Sequence, residues 1–289
     1  MNSATYLKNN LKNFPNEPAL SIKGSSGEWE TDNWSTFHES VIEVSKSLLA
    51  CGIKSQDKIS IYSYNRKEWH YCYSAAQYIN AVGVGVYHTC SSNEVDWIVS
   101  NSESKIVFLG NNPNDNDEEL KMPNHRLLSV LDHLDKVELV VALPGIKMLK
   151  HDKIISWDDF IKKGKDIEIN EVESRFDEIK PEDTSALIYT SGTTGNPKGV
   201  ILTHDNWDFE CQQILTVAKF KPGDRSISWL PGAHVFGQAV DLHFTIRESM
   251  HTYIVDSPLN TVDYAKEIQP HLFISVPRIY EKVYSNFKS

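Results

Sequence analysis

Residues 190–199 read Thr190-Ser191-Gly192-Thr193-Thr194-Gly195-Asn196-Pro197-Lys198-Gly199. The glycines let the backbone turn sharply and bring N–H groups against an anion. The hydroxyls of Thr190, Ser191, Thr193 and Thr194 can donate to phosphate oxygens, and Lys198 supplies a compact cation of the kind that binds phosphate. Pro197 restricts the residue before it to extended geometry. The chemistry these residues suit is phosphate binding. It is not the Walker arrangement, in which Gly-Lys-[Ser/Thr] opens a helix. Here Lys198 is followed by Gly199 and the strand-like Val200-Ile201-Leu202-Thr203, while the apolar run Ser185–Thr190 leads in. A plain hairpin turn would need about two residues, and this run is far longer.

The elements that must hold such a loop alternate along the chain. Asp57–Tyr62, Val82–Tyr87, Lys105–Leu109 and Glu138–Leu143 are strand-like apolar runs, and the glycines of Val82–Tyr87 imply close backbone approach. Ser91 and Glu94 have capping-box spacing before a helix, as do Thr36 and Glu39 before a helix running to Ala50 and stopped by Gly52. Another helix is expected near Arg126–Leu134. Gly110–Asp117 reads as a surface loop, and a charged connector is expected from Lys162 to Asp183. Apolar strands separated by helical patterns imply a mostly parallel sheet flanked by helices, an α/β fold.

The chain has 289 residues, 40% hydrophobic and 24% charged, which excludes a disordered, fibrous or coiled-coil protein. Its formal net charge of −10 argues against nucleic acid as a partner and against broad attraction to anionic lipid. Cys51, Cys72, Cys90 and Cys211 show neither disulfide-framework nor zinc-ligand spacing. No apolar h-region opens the chain and no run approaches the ~18 residues of a membrane span. The expectation is a cytoplasmic protein, with peripheral membrane contact left open.

Tyr189–Val200 resembles the signature loop of the adenylate-forming (AMP-binding) superfamily. Leu230-Pro231-Gly232-Ala233-His234-Val235-Phe236-Gly237 resembles that superfamily's Leu-Pro-x-x-His-x-x-Gly segment, about forty residues downstream. Asn65–Trp69, Gly85–Ser91 and Ser275–Val283 are similar to the long-chain fatty acyl-CoA synthetase branch. Gly232 stands where the family more often has a larger residue and Gln238 where some long-chain members carry an aromatic gate, so the resemblance implies no particular acyl chain length. The resemblance implies stacked α/β subdomains with mostly parallel sheets, the first over 1–183 and a second, incomplete one over 184–289.

The resemblance also implies a reaction. A fatty acid carboxylate attacks the α-phosphate of ATP to give acyl-adenylate and pyrophosphate, and CoA then displaces AMP to form a thioester. It implies cofactor contacts at Thr190, Ser191, Gly192, Thr193, Thr194, Gly195 and Lys198. It further implies magnesium near Thr193 or Thr194, and a catalytic position for His234 at the acyl pocket. Val235 and Phe236 either wall an acyl tunnel or pack as ordinary core. The family's Tyr-Gly-x-Thr-Glu and Thr-Gly-Asp segments and its catalytic lysine domain have no counterpart in these residues. The expected identity is therefore the truncated N-terminal part of an acyl-CoA synthetase. The alternatives are a truncated non-catalytic remnant that binds nucleotide or fatty acid or pairs with a second chain supplying the missing half, and an unrelated phosphotransferase using a glycine loop, which the failed Walker pattern disfavours. The 289 residues alone are expected not to form thioester from palmitate, ATP and CoA. Turnover at an ordinary enzymatic rate in that assay would overturn the expectation.

Overall fold

The computed structural model describes residues 1–111, 122–190, 195–275 and 281. The chain opens with α1 (Ser3–Asn13), β1 (Pro18–Lys23), β2 (Trp29–Asn33) and α2 (Trp34–Ala50). A parallel run follows: β3 (Lys58–Ser63), α3 (Lys67–Tyr78), β4 (Val82–Val86), α4 (Ser92–Ser102), β5 (Ile106–Gly110), α5 (Pro123–Leu128), β6 (Leu139–Ala142) and β7 (Ile154–Ser156). Then come α6 (Trp157–Lys163), α7 (Ile169–Asp177), the strands β8 (Thr184–Thr190) and β9 (Lys198–Thr203), α8 (His204–Val217) and β10 (Arg225–Ser228). A helical stretch comprises α9 (Val235–Gly237), a π-helical turn (Gln238–Phe244) and α10 (Thr245–Arg247), and leads to β11 (His251–Ile254) and α11 (Thr261–Ile268).

The strands form two sheets. The larger has the order β7-β6-β5-β3-β4-β8-β9 and the smaller β10-β11-β1-β2. The larger is parallel except for the β8–β9 pair. Its strands are apolar on both faces because helices cover both faces. Ile106 and Phe108 join the core under α2, with Trp34, Phe37, Val41 and Leu48. Their neighbours Val107 and Leu109 point the other way, to Val95, Ile98 and Val99 of α4 and Leu127 of α5. Leu20 of β1 belongs to the first of these clusters, so one core serves both sheets. Both sheets take strands from either side of the 183/184 division expected from the sequence.

Several local expectations hold. The Ser91–Glu94 capping box forms, and Gly52 ends α2 at φ +79°. A Cβ on Gly83 would meet the Tyr73 ring at 2.7 Å, so the backbone does approach closely there. Others need correction. The cap of α2 is Asn33, whose side chain accepts from the Thr36 N–H at 2.8 Å, because the chain leaves β2 extended and turns three residues earlier than expected. Glu39 accepts instead from the Ser35 hydroxyl. The helix expected at 126–134 is α5, started by Pro123, followed by a single 3₁₀ turn at Leu131–His133. Gly110 closes β5 rather than opening a loop, and 112–117 lie outside the described residues. The charged connector is largely helical, because Glu168 and Glu171 form a capping box and Val172 anchors α7 in the core. The lineage segment Ser275–Val283 falls almost wholly outside the described residues.

β9 is the outer strand of the larger sheet, and its Val200 and Ile201 are exposed. Among the described residues, no helix is long and apolar enough to cross a membrane.

Burial holds four imidazoles neutral. It lowers His70 to about 3, His204 to about 4, His243 to about 3 and His251 to about 4. In the unfolded chain they take up protons near the ordinary value of about 6.5. The unfolded state therefore binds protons first on acidification, and stability falls as pH drops from about 6.5 towards 4. Asp241 opposes this: burial raises it to about 8, so its contribution fades as pH rises from about 4 to 8. Burial also raises Glu248 and lowers His38 and His234, so two carboxyls act against six imidazoles and the urea midpoint should fall from pH 7 to pH 5. A midpoint that stays level would overturn the assignment of buried neutral histidines.

Candidate functional site

The site lies at the carboxyl ends of parallel strands, where open α/β sheets bind their ligands. A cleft of about 400 Å³ there is lined by Tyr87 and Thr89 after β4, Tyr189 and Thr190 of β8, Pro197, and His234 and Val235. Thr190, Pro197 and His234 were singled out from the sequence, and they meet at one cavity.

The phosphate-loop hairpin is anchored from the side. Thr190 and Lys198 pair across its base, and both are exposed. Ser191, Gly192, Thr193 and Thr194 lie outside the described residues, so their expected contacts are not placed. Gly195 has φ +104°, a conformation that favours glycine. Helix α4 holds both legs: the Trp97 indole donates to the Pro197 carbonyl at 2.9 Å, and the Tyr189 hydroxyl to Asn101 Oδ1 at 2.8 Å. Gly199 lies against the Tyr189 ring, where a Cβ would stand 3.0 Å from Cζ. Lys198 has no ion-pair partner among the described residues, which leaves its ammonium for an outside anion.

His234 is positioned by a long-range clamp. Asn65, two residues past β3, donates through Nδ2 to the Leu230 carbonyl at 2.7 Å. Its Oδ1 accepts from the Gly232 N–H at 3.0 Å. The clamped segment ends at His234, which caps α9: Nδ1 accepts from the Phe236 N–H at 3.1 Å. An accepting Nδ1 puts the proton of the neutral ring on Nε2. Burial lowers the His234 pKa, so the ring is neutral at neutral pH. Tyr87 stands edge-on to it, with ring centroids 6.4 Å apart. Of the two readings of Val235 and Phe236, core packing fails, since both are about 40% exposed, and Val235 lines the cleft.

The turn bearing Thr89 is braced by Arg126, whose Nη1 donates to the carbonyls of His88 at 3.3 Å and Cys90 at 2.8 Å. Cys90 lines the cleft, but burial pushes its thiol up to about 11, so it carries no thiolate at neutral pH. Glu94 is the carboxylate on the cleft wall, and its hydrogen bonds to Ser91 hold it below the usual range. Among the described residues, no group of three or more His, Cys, Asp or Glu could hold a metal ion. Thr193 and Thr194, where magnesium is expected, lie outside the described residues. The cleft lining supplies hydroxyl and imidazole donors rather than a nucleophile, with Lys198 next to Pro197 at its rim, which suits a reaction between two bound substrates.

Asn65 was quoted in the sequence only as part of a lineage segment, and Trp97, Asn101 and Arg126 carried no spacing signal. Replacing Asn65 with Ala should cost about 1–3 kcal/mol in urea unfolding, since it leaves a carbonyl and an N–H without partners. Asn65→Asp should recover only the bond from Gly232. An unchanged midpoint for Asn65→Ala would show that the clamp bears no load.

The AMP-binding enzyme family matches residues 7–289. Human ACSBG2, a long-chain-fatty-acid–CoA ligase, is 28% identical over 290 residues, covering 98% of this chain and 42% of that protein. Long chain acyl-CoA synthetase 5 of Arabidopsis thaliana is 28% identical, covering 96% and 42%. The chain thus spans less than half the length of these relatives. Among solved structures, the inhibitor-bound N-terminal domain of FACL13 from Mycobacterium tuberculosis superposes with a TM-score of 0.74 at 20% identity, covering 96% of this chain and 63% of that one. The anthranilate CoA ligase AuaEII in complex with anthranoyl-AMP gives 0.78 at 17% identity, covering 94% and 49%. These likenesses agree with the mixed α/β architecture of parallel sheets flanked by helices. With nearly its whole length matched, the chain belongs to the AMP-binding enzyme family.

Proposed function

We propose that this chain forms the phosphate- and acid-binding part of an acyl-CoA ligase. In this reading an oxygen of the acid carboxylate attacks the α-phosphorus of ATP, and the bond to the β-phosphate oxygen breaks to release pyrophosphate. The CoA thiol then attacks the acyl carbon, and AMP leaves with the electron pair of the C–O bond. A free carboxylate is a poor acyl donor, and adenylation provides the leaving group.

The observation that carries the reading is the meeting of Thr190 and Pro197 of the hairpin base with His234 at one cleft, with Lys198 paired to Thr190 beside it. Lys198 and the loop amides would take the β- and γ-phosphates. His234, with its proton on Nε2, would donate to the developing adenylate or to the carboxylate. The work of the site is then orientation and charge stabilisation. Magnesium would arrive with ATP as part of the substrate. CoA and a fatty acid are the co-substrates that the relatives' names favour.

The test is calorimetric titration with ATP and magnesium. Lys198→Ala should weaken binding by roughly tenfold or more, the scale of a lost charge-assisted hydrogen bond. His234→Ala should leave ATP affinity within about twofold while weakening the acid. Equal ATP affinity for the Lys198 variant and the parent would overturn the role given to the loop.

A further inference from the structure

Two routes of contact run from α4 to the two residues that flank Lys198. On the first, the Trp97 indole donates to the Pro197 carbonyl at 2.9 Å. On the second, the Tyr189 hydroxyl donates to Asn101 Oδ1 at 2.8 Å, and the Tyr189 ring is the floor on which Gly199 lies. Trp97 and Asn101 are four residues apart in the helix, so their side chains share one face. The backbone of Lys198 is thereby held on both sides, and its pairing with Thr190 holds it from across the hairpin.

The helix is a firm reference for this. Its start is closed by the Ser91–Glu94 capping box. Its inner residues Val95, Ile98 and Val99 are buried in one cluster with Val107 and Leu109 of β5. Glu94 and Ile98 also line the cleft. One helix is thus both a wall of the cleft and the mount of the hairpin.

The two bonds add little to the fold itself. Trp97 is 38% exposed, Asn101 is exposed, and Pro197 is not buried. A Pro197 carbonyl released by the indole would be taken up by water, so the net stability at stake is small. What the bonds supply is direction. The ammonium of a lysine rides on a flexible four-carbon stem, and its reach is defined only as well as the backbone that carries it.

We propose that Trp97 and Asn101 are positioning residues for phosphate binding. They hold residues 197–199 so that the Lys198 ammonium meets the phosphate tail of the nucleotide, and neither touches the nucleotide itself. The inference rests on the reading of Lys198 as a phosphate ligand in an acid-activating site.

The experiment is calorimetric titration of the purified chain with two probes, magnesium-ATP and inorganic tripolyphosphate, which carries the phosphates without the nucleoside. Trp97→Phe keeps an aromatic ring and removes the donor. It should weaken both probes by a similar factor, about three- to tenfold, the range of one lost hydrogen bond. Its urea midpoint should stay near that of the parent. Asn101→Ala should behave alike, and Tyr189→Phe should match Asn101→Ala. In a Lys198→Ala background, Trp97→Phe should change affinity by less than about twofold, because residues that act through one group are not additive. Should Trp97→Phe fail to fold, Asn101→Ala decides in its place.

Parent-like affinity of Trp97→Phe for both probes, with Lys198→Ala impaired, would overturn the inference and leave the acid-activating reading standing. Full additivity of the Trp97 and Lys198 losses would also overturn it, since the effect would not pass through the lysine. So would an affinity loss accompanied by a matching fall in urea midpoint, the mark of a purely structural role. Binding of neither probe by the parent would overturn both.

Discussion

The amide of Asn65 joins two parts of the molecule that the chain keeps far apart. One end belongs to the larger sheet, just past β3. The other grips the segment that follows β10 in the smaller sheet. An amide suits this role because it offers a donor and an acceptor side by side, matching a carbonyl and an N–H two residues apart. The position of His234 relative to the phosphate-loop hairpin depends on this clamp. So does the close contact of Ala233 with Gly85, which brings the clamped segment against β4. Both sheets then contribute their carboxyl ends to one cleft, and the shared core beneath prevents them from sliding apart.

The hairpin is held at its base, from the side, by α4. Trp97 and Asn101 are one turn apart on α4 and each takes a different leg, so the legs cannot separate without breaking a hydrogen bond. The flat surface of Gly199 lets the second leg lie on the ring of Tyr189. These contacts spare Lys198, whose ammonium remains exposed at the cleft end of β9. The cleft is therefore assembled mainly by groups that never face a ligand.

Much of this was legible in the residues, and what was not shares a cause. Ser91–Glu94, the apolar runs of β3 to β6 and the phosphate loop are local patterns, and they were read from the chain. β1, β2 and β11 were not, because Leu20 pairs with Thr252 and no local periodicity records a partner that distant. Trp29–Asn33 is polar and forms an outer strand, so it lacks the alternation that marks a half-buried one. The start of α2 was misplaced because Asn33 and Thr36 are both good caps, and the exit of β2 decides between them. In the site, Thr190, Lys198 and His234 were legible through motifs. Asn65, Trp97 and Arg126 work through partners from 36 to 167 positions away, so no spacing rule reaches them.

The outer position of β9 has a mechanical consequence. Among the described residues no strand pairs with its other side, and the unpaired backbone groups beside the exposed Val200 and Ile201 are a template for strand addition. Lys198 sits at the head of that same strand. Any strand laid along β9 would extend the ladder up to the base of the phosphate loop and stiffen it. Pairing at the rim of the sheet and the setting of the Thr190/Lys198 hairpin base are thus mechanically linked.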